Sequence, residues 1–184
     1  MPETVYLNFH QGVDLQSVNR FMTLSTQILQ QYQPQQLCIL LSSGGGSVDS
    51  GVTLYNFLRG LPCEIVTHNI GSIDSIANAV FLAGKLRYAT KISTFLFHGV
   101  TWGFGQGANL TYQQMQETLS RFDAAEQLFA GILVDRTEFR ADEVRELFRQ
   151  GESKDPLFAK SKGVIHDIRD VSVEPGAPVF SVPA

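Results

Sequence analysis

Short, continuous apolar runs alternate along the chain with longer segments whose apolar residues recur at helical spacing. Residues 5–8 read as a short strand. Asp14 opens a predicted amphipathic helix with Leu15, Val18, Met22, Ile28 and Leu29 on its apolar face. Residues 37–41 are apolar throughout, as in a strand buried on both faces of a parallel sheet. Residues 48–58 have helical spacing and are stopped by Gly60 and Pro62. A strand over 64–67, a helix over 74–83 closed by Gly84, and strands over 86–88 and 94–97 follow. Repeated units of this kind imply an α/β fold with a mostly parallel sheet and right-handed crossovers.

After the Gly-rich stretch 103–107, Thr111 and Gln114 have capping-box spacing. Met115, Leu119, Phe122, Ala125 or Glu126, and Phe129 then carry an apolar stripe to about Val134. Such a helix reaches about 35 Å at 1.5 Å per residue, more than a small core needs, and is expected to project toward another subunit. Residues 141–148 predict a further helix. Asp155-Pro156 supplies an N-cap and a proline at the first helical position, Gly163 a stop, and 164–168 a last strand. The tail after Val171 holds three of the seven prolines and is expected to be extended or disordered. Neither a repeat nor a boundary interrupts residues 1–184, which read as one domain.

Composition narrows the function classes. A chain of 184 residues can bury roughly 70% of the surface its unfolded form exposes. With 43% apolar and only 17% charged residues, some surface is expected to be covered by neighbouring subunits. A net charge of −4 without a Lys/Arg cluster argues against nucleic-acid binding. Cys38 and Cys63 sit in apolar runs and read as reduced core thiols of a cytoplasmic protein. The N-terminus has no basic and apolar leader pattern, and no apolar stretch is long enough for a bilayer, so no membrane partner is expected. His10, His68 and His166 lack partners at metal-ligand spacing; neither a metal nor another cofactor is expected.

The candidate chemistry lies in two glycine-bearing turns and one histidine. Ser42-Ser43-Gly44-Gly45-Gly46-Ser47 joins an apolar strand to an amphipathic helix. A phosphate loop is disfavoured, because no Lys-Ser/Thr pair follows. An oxyanion loop fits, since glycines let main-chain amides approach a reacting carbonyl. Ser75 follows a strand and Gly71 at a helix opening, where negative charge is favoured. It reads as a nucleophile, or more simply as a helix cap, a role Asp74 could also take. His98 ends a buried strand and could accept the serine proton, or be a satisfied core histidine. Lys85 lies roughly 15 Å along the helix from Ser75, too far for a Ser-Lys dyad.

These motifs resemble the Clp-type serine peptidases, the proteolytic subunit of the ATP-dependent Clp protease, over residues 5–170. The family's "N-S-P-G-G" is here Ser42-Ser43-Gly44-Gly45-Gly46, and its "G-Q-A-A-S-M-G-A" is Gly71-Ser72-Ile73-Asp74-Ser75-Ile76-Ala77-Asn78. The run before the family's histidine fits the run ending at His98, although the usual "Q-P" is Gly99-Val100. The resemblance implies a ClpP/crotonase-like fold of repeated β-β-α and βα units with a protruding handle helix. It implies a self-assembling ring that hydrolyses peptides or unfolded proteins without a cofactor. Ser75 would be the nucleophile and His98 the base, with the Gly45 and Ile76 amides as oxyanion donors. Gly103, Gly105 and Gly107 would run beside the substrate as an added strand.

Three departures accompany the resemblance. Counting back from Gly163 puts the triad aspartate at Leu147, which cannot orient an imidazole; Glu146 and Asp155 are the replacement acids considered. Asp74 places a carboxylate beside the oxyanion site, where it opposes developing negative charge. The chain begins almost at its first core strand, leaving little room for the family's N-terminal pore hairpin, so an ATPase unfoldase partner is not expected. Weakened peptide hydrolysis is the leading expectation. A catalytically silent subunit of a mixed ring is the alternative, and a crotonase-type acyl-CoA enzyme a more distant one.

Overall fold

A computed structural model describes residues 2–101, 103 and 109–183. Three parallel strands form the centre of one sheet: β1 (Thr4–His10), β2 (Gln36–Ser43) and β3 (Glu64–Asp74). In β2, Leu37, Ile39 and Leu41 are wholly buried toward the helices, while Cys38 and Leu40 are buried on the opposite face. Burial on both sides is why this strand is continuously apolar. Burial raises the Cys63 thiol and pushes that of Cys38 up to about 12, and both cysteines are free.

Helices cross between these strands. In α1 (Leu15–Tyr32), Asp14 accepts from the Ser17 amide at 2.8 Å and Ser17 Oγ accepts from the Asp14 amide, completing a capping box. Val18, Phe21 and Ile28 face the core from this helix. Leu54 and Leu58 do so from α2 (Val48–Arg59), which Ser47 caps. Among the described residues no helix is long and apolar enough to cross a membrane.

The long strand β3 uses one edge twice. Its first half pairs with β4 (Leu86–Ala89), through Val66↔Leu86 to Asn69↔Ala89. Its second half pairs with β5 (Thr94–Leu96), through Ser72↔Thr94 to Asp74↔Leu96. All these contacts are parallel. The antiparallel pairing is β6 (Ser153–Lys154) on β5. Short strands β7 (Asp167–Ile168) and β8 (Val179–Ser181) pair with β4 and β1. The sequence-predicted strand over 164–168 contracts to β7, because Val164 and Ile165 are buried in the turn before it.

The protein is therefore an α/β fold with a mostly parallel sheet. Helix α4 (Tyr112–Arg136) starts with the expected Thr111–Gln114 capping box. Its first turns leave the core: Tyr112, Met115 and Leu119 are exposed, and burial resumes at Phe129 and Leu133. Phe129 stacks on Phe148 of α5 (Ala141–Gln150), with ring centroids 5.1 Å apart. Buried Arg87 ties the far end together by donating to the carbonyls of Gly84, Arg136, Gly163 and Val164. Beyond Val171 the chain is extended. Val171 and Ala177 pack on the second apolar cluster, Tyr6, Cys38, Leu40 and Val66, and β8 completes the edge beside β1.

Candidate active site

Strand β3 runs further than its apolar stretch, through Gly71 to Asp74, because its second half finds a new partner in β5. The predicted helix start at residue 74 consequently moves to Ala77, where α3 (Ala77–Leu82) begins. Ser75 is neither cap nor first helical residue. It occupies the tight turn between strand and helix with φ 55°, in the left-handed region that a non-glycine residue rarely enters. A serine held on such a strand-to-helix turn presents its hydroxyl at the sheet end. Ser75 N–H donates to Leu96 O at 2.9 Å, continuing the β3–β5 ladder by one bond. Among the described residues its hydroxyl has no hydrogen-bond partner.

Asn78 holds this turn from below. Its buried Nδ2 lies 3.3 Å from Ile73 O, 3.0 Å from Ser75 O and 2.9 Å from Leu96 O. One side chain thus joins the strand before Ser75, the turn itself and the strand leading to His98. Asp74 is not a cap either; its Oδ1 accepts from Ser72 Oγ at 2.5 Å, two residues back on the same face of β3.

The glycine loop closes over Ser75. Gly45 is buried at φ 82°, and a β-carbon there would lie 2.6 Å from Ser75 Cβ and 2.7 Å from Asp74 O. Residue 45 must therefore be glycine for β2 and the serine turn to meet. Val13 N–H donates to Gly45 O and Ser47 N–H to Val13 O, both at 2.8 Å, which fixes the loop's other side. The two predicted oxyanion donors differ. Ile76 N–H has no partner among the described residues, whereas Gly45 N–H donates to Ser43 Oγ at 3.2 Å. The next amide, Gly46, has no hydrogen-bond partner among the described residues. Sequence reasoning passed it over because three consecutive glycines look alike until the loop is folded.

His98 follows β5 and lies one residue beyond the register partner of Ser75, so both reach the same end of the sheet. No hydrogen bond joins them among the described residues. His98 Nδ1 is instead 2.7 Å from its neighbour's carbonyl, Gly99 O. A carbonyl oxygen accepts only, so Nδ1 carries a proton, and in the neutral ring Nε2 is the nitrogen able to accept one.

Leu147 occupies the position that the count along the sequence gives to the acid. Leu147 is buried in the core and forms part of the wall under α5. The strand beside β5 is β6, with Phe95 opposite Lys154 and Leu96 opposite Ser153. The strand pairing ends there, and the next contact of this segment is with α5, where Gly99 N–H donates to Phe148 O at 3.4 Å. Glu152 pairs with Lys154 at 3.0 Å. Glu146 is held by Arg149 in a two-pronged contact at 2.7 and 2.9 Å, which lowers its carboxyl below the usual range. Asp155 caps α6 (Pro156–Ser161) by accepting from Phe158 N–H at 2.7 Å. Both proposed replacement acids are thus committed elsewhere. Glu126 of α4 reaches the strand end: a β-carbon on Gly99 would lie 3.3 Å from its Oε2. Helical spacing placed Glu126 on the apolar stripe and gave no hint of this approach.

Gly103, predicted beside the substrate, is exposed with open space around it. Gly105 and Gly107 lie outside the described residues. A cleft of about 430 Å³ adjoins the site between the start of α2, the segment after His98 and one face of α4. Among the described residues no cluster of three or more His, Cys, Asp or Glu side chains could hold a metal ion.

Comparison with known proteins gives relatives of one kind. ATP-dependent Clp protease proteolytic subunit 1 of Corynebacterium jeikeium is 27% identical over 116 residues, covering 60% of this chain and 62% of the relative. Proteolytic subunit 2 of Borreliella burgdorferi is 31% identical over 68 residues, 36% of this chain and 34% of that protein. Proteolytic subunit 2 of Mycolicibacterium paratuberculosis is 28% identical over 122 residues, 60% and 58% of the two lengths. The matched segments thus span less than two thirds of these relatives. The family profile described as "Clp protease" matches residues 5–172 and takes in the glycine loop, the Ser75 turn and His98; the chain belongs to the Clp protease family.

Proposed function

We propose that this protein is a serine-type peptidase that cleaves peptide bonds with Ser75 and His98, at a rate reduced by the missing carboxylate. The observation that carries this reading is the left-handed turn at Ser75, whose hydroxyl has no hydrogen-bond partner among the described residues, at the sheet end reached by His98. In the reaction, Ser75 Oγ attacks the peptide carbonyl while His98 Nε2 takes the hydroxyl proton. The amides of Ile76 and of Gly45 or Gly46 stabilise the oxyanion. Protonated His98 then gives its proton to the leaving amine, and water hydrolyses the acyl-serine by the same steps in reverse. For Gly45 to act as a donor, its N–H must leave Ser43 Oγ, whereas Gly46 N–H is already available.

Labelling with a fluorophosphonate probe tests this, with Ser75→Ala and His98→Ala as controls. Labelling that vanishes in both variants supports the hydrolase reading, and an unlabelled folded assembly overturns it. A silent subunit of a mixed ring is the second reading, favoured by Leu147 at the counted acid position and by Asp74 beside Ser75. Co-purification with an active relative, without labelling of Ser75, supports it.

We further propose that residues 1–184 act as a single domain in a cytoplasmic ring built through the exposed stripe of Tyr112, Met115 and Leu119. Size-exclusion chromatography with light scattering should report a multiple of 20.3 kDa, and a lone monomer would remove that part.

A further inference from the structure

We propose that Arg121 makes the cleft beside Ser75 a receptor for a peptide side chain ending in a carboxylate, glutamate above all. The inference rests on the peptidase reading for its position and on the cleft itself for its chemistry. The cleft begins where the oxyanion loop ends, at Gly46 and Ser47, and its floor includes Val100, two residues beyond His98. A peptide held at Ser75 would direct one side chain into it. Val48, Val100, Ala125 and Leu128 give it apolar walls, and Arg121 comes from the same face of α4 as Ala125 and Leu128.

Glutamate matches that arrangement. Its methylenes suit the apolar walls, and its carboxylate suits a guanidinium, which offers paired donors in a fixed plane. Arg121 makes no ion pair or hydrogen bond among the described residues, so no internal carboxylate occupies it. The cleft also contains Asp49. That carboxylate lies in the first turn of α2, where the helix end offsets its charge. Lysine would face the Arg121 charge, and leucine would leave the guanidinium without a partner.

The test is peptide binding to the full chain carrying Ser75→Ala, read by fluorescence anisotropy with labelled Ala-Ala-X-Ala-Ala peptides. X is glutamate, glutamine, leucine or lysine. Glutamate should bind about tenfold more tightly than glutamine, the usual scale of one charge-assisted hydrogen-bond pair. Arg121→Gln should remove that ratio, while Asp49→Asn should preserve or increase it. Equal affinity for glutamate and glutamine, no binding of the glutamate peptide, or a preference that survives Arg121→Gln overturns the inference. Fluorophosphonate labelling of the unaltered chain tests the peptidase reading separately. A glutamate preference without labelling supports this inference while that reading fails, and labelling without the preference does the reverse.

Discussion

Gly45 and Ser75 touch so closely that a single added β-carbon on Gly45 would sit 2.6 Å from the β-carbon of Ser75. This contact locks the glycine loop onto the serine turn, and the same added β-carbon would lie 3.3 Å from Ile76 N. Gly45→Ala should therefore injure both stability and chemistry. The φ of 82° and the clash together are expected to cost about 2 kcal/mol or more. Fluorophosphonate labelling should fall at least about a hundredfold. Thermal unfolding and labelling rate check the two parts, and an unaltered labelling rate would break the link between loop and nucleophile.

Two aspartate substitutions test where an acid can reach His98. Gly99 N–H donates to Phe148 O at 3.4 Å, which sets the segment after His98 against the end of α5, next to Leu147. Leu147→Asp should raise the labelling rate of the folded protein about tenfold or more by orienting His98, while burying a carboxylate at a cost of about 3 kcal/mol or more. Gly151→Asp, at φ 59° with open space at the missing β-carbon, should be tolerated and leave labelling unchanged. A gain from Gly151→Asp alone would move the acid position past α5.

Asn78 is a structural pin for the active turn. Asn78→Leu keeps the bulk but strips the carbonyls of Ile73, Ser75 and Leu96 of their shared donor. A loss of about 1–2 kcal/mol is expected in denaturant unfolding, since the shared buried donor is lost while Leu96 O and Ser75 O keep their backbone partners. Labelling should fall with it as Ser75 leaves its left-handed conformation. The buried Oδ1 of Asn78 has no hydrogen-bond partner, so its removal breaks no further bond.

Stability should decline on mild acidification through His68. This buried side chain places Nε2 2.9 Å from Arg169 O, and burial holds its pKa below the ordinary 6.5. A lowered histidine pKa means that the unfolded chain binds the proton first as pH falls. Stability is therefore full above about pH 7 and is lost as pH drops through 6.5 toward the folded value, by at most about 1.4 kcal/mol per pH unit for one proton. His166, lowered by burial and then by Arg87, adds in the same direction. His68→Asn should flatten the melting-temperature profile between pH 7 and 5.5, and an unchanged slope would discount His68.

Glu126 offers a test of the carboxylate nearest the Gly99 backbone. Glu126→Gln preserves its shape and removes its charge, and should lower labelling several-fold if that charge stabilises protonated His98. Glu146→Gln, altering a carboxylate already held by Arg149, should leave labelling unchanged.

Much of this architecture is legible because the responsible forces are local. The apolar run in β2, the Thr111–Gln114 capping box and the Asp155-Pro156 helix start depend on neighbours within a few residues. The glycine loop, Ser75 and His98 are recognisable as well, since their chemistry limits the residue types that can serve. Tertiary structure decided the rest. β3 extends through Gly71 to Asp74 only because β5 lies beside its second half, and that extension turns Ser75 from a helix residue into a strained turn. The tail after Val171 is placed by Tyr6 and β1, from the opposite end of the chain. Periodicity reports which face of an element is buried; which distant residue fills the space opposite depends on strand pairing and on how the helices pack against it.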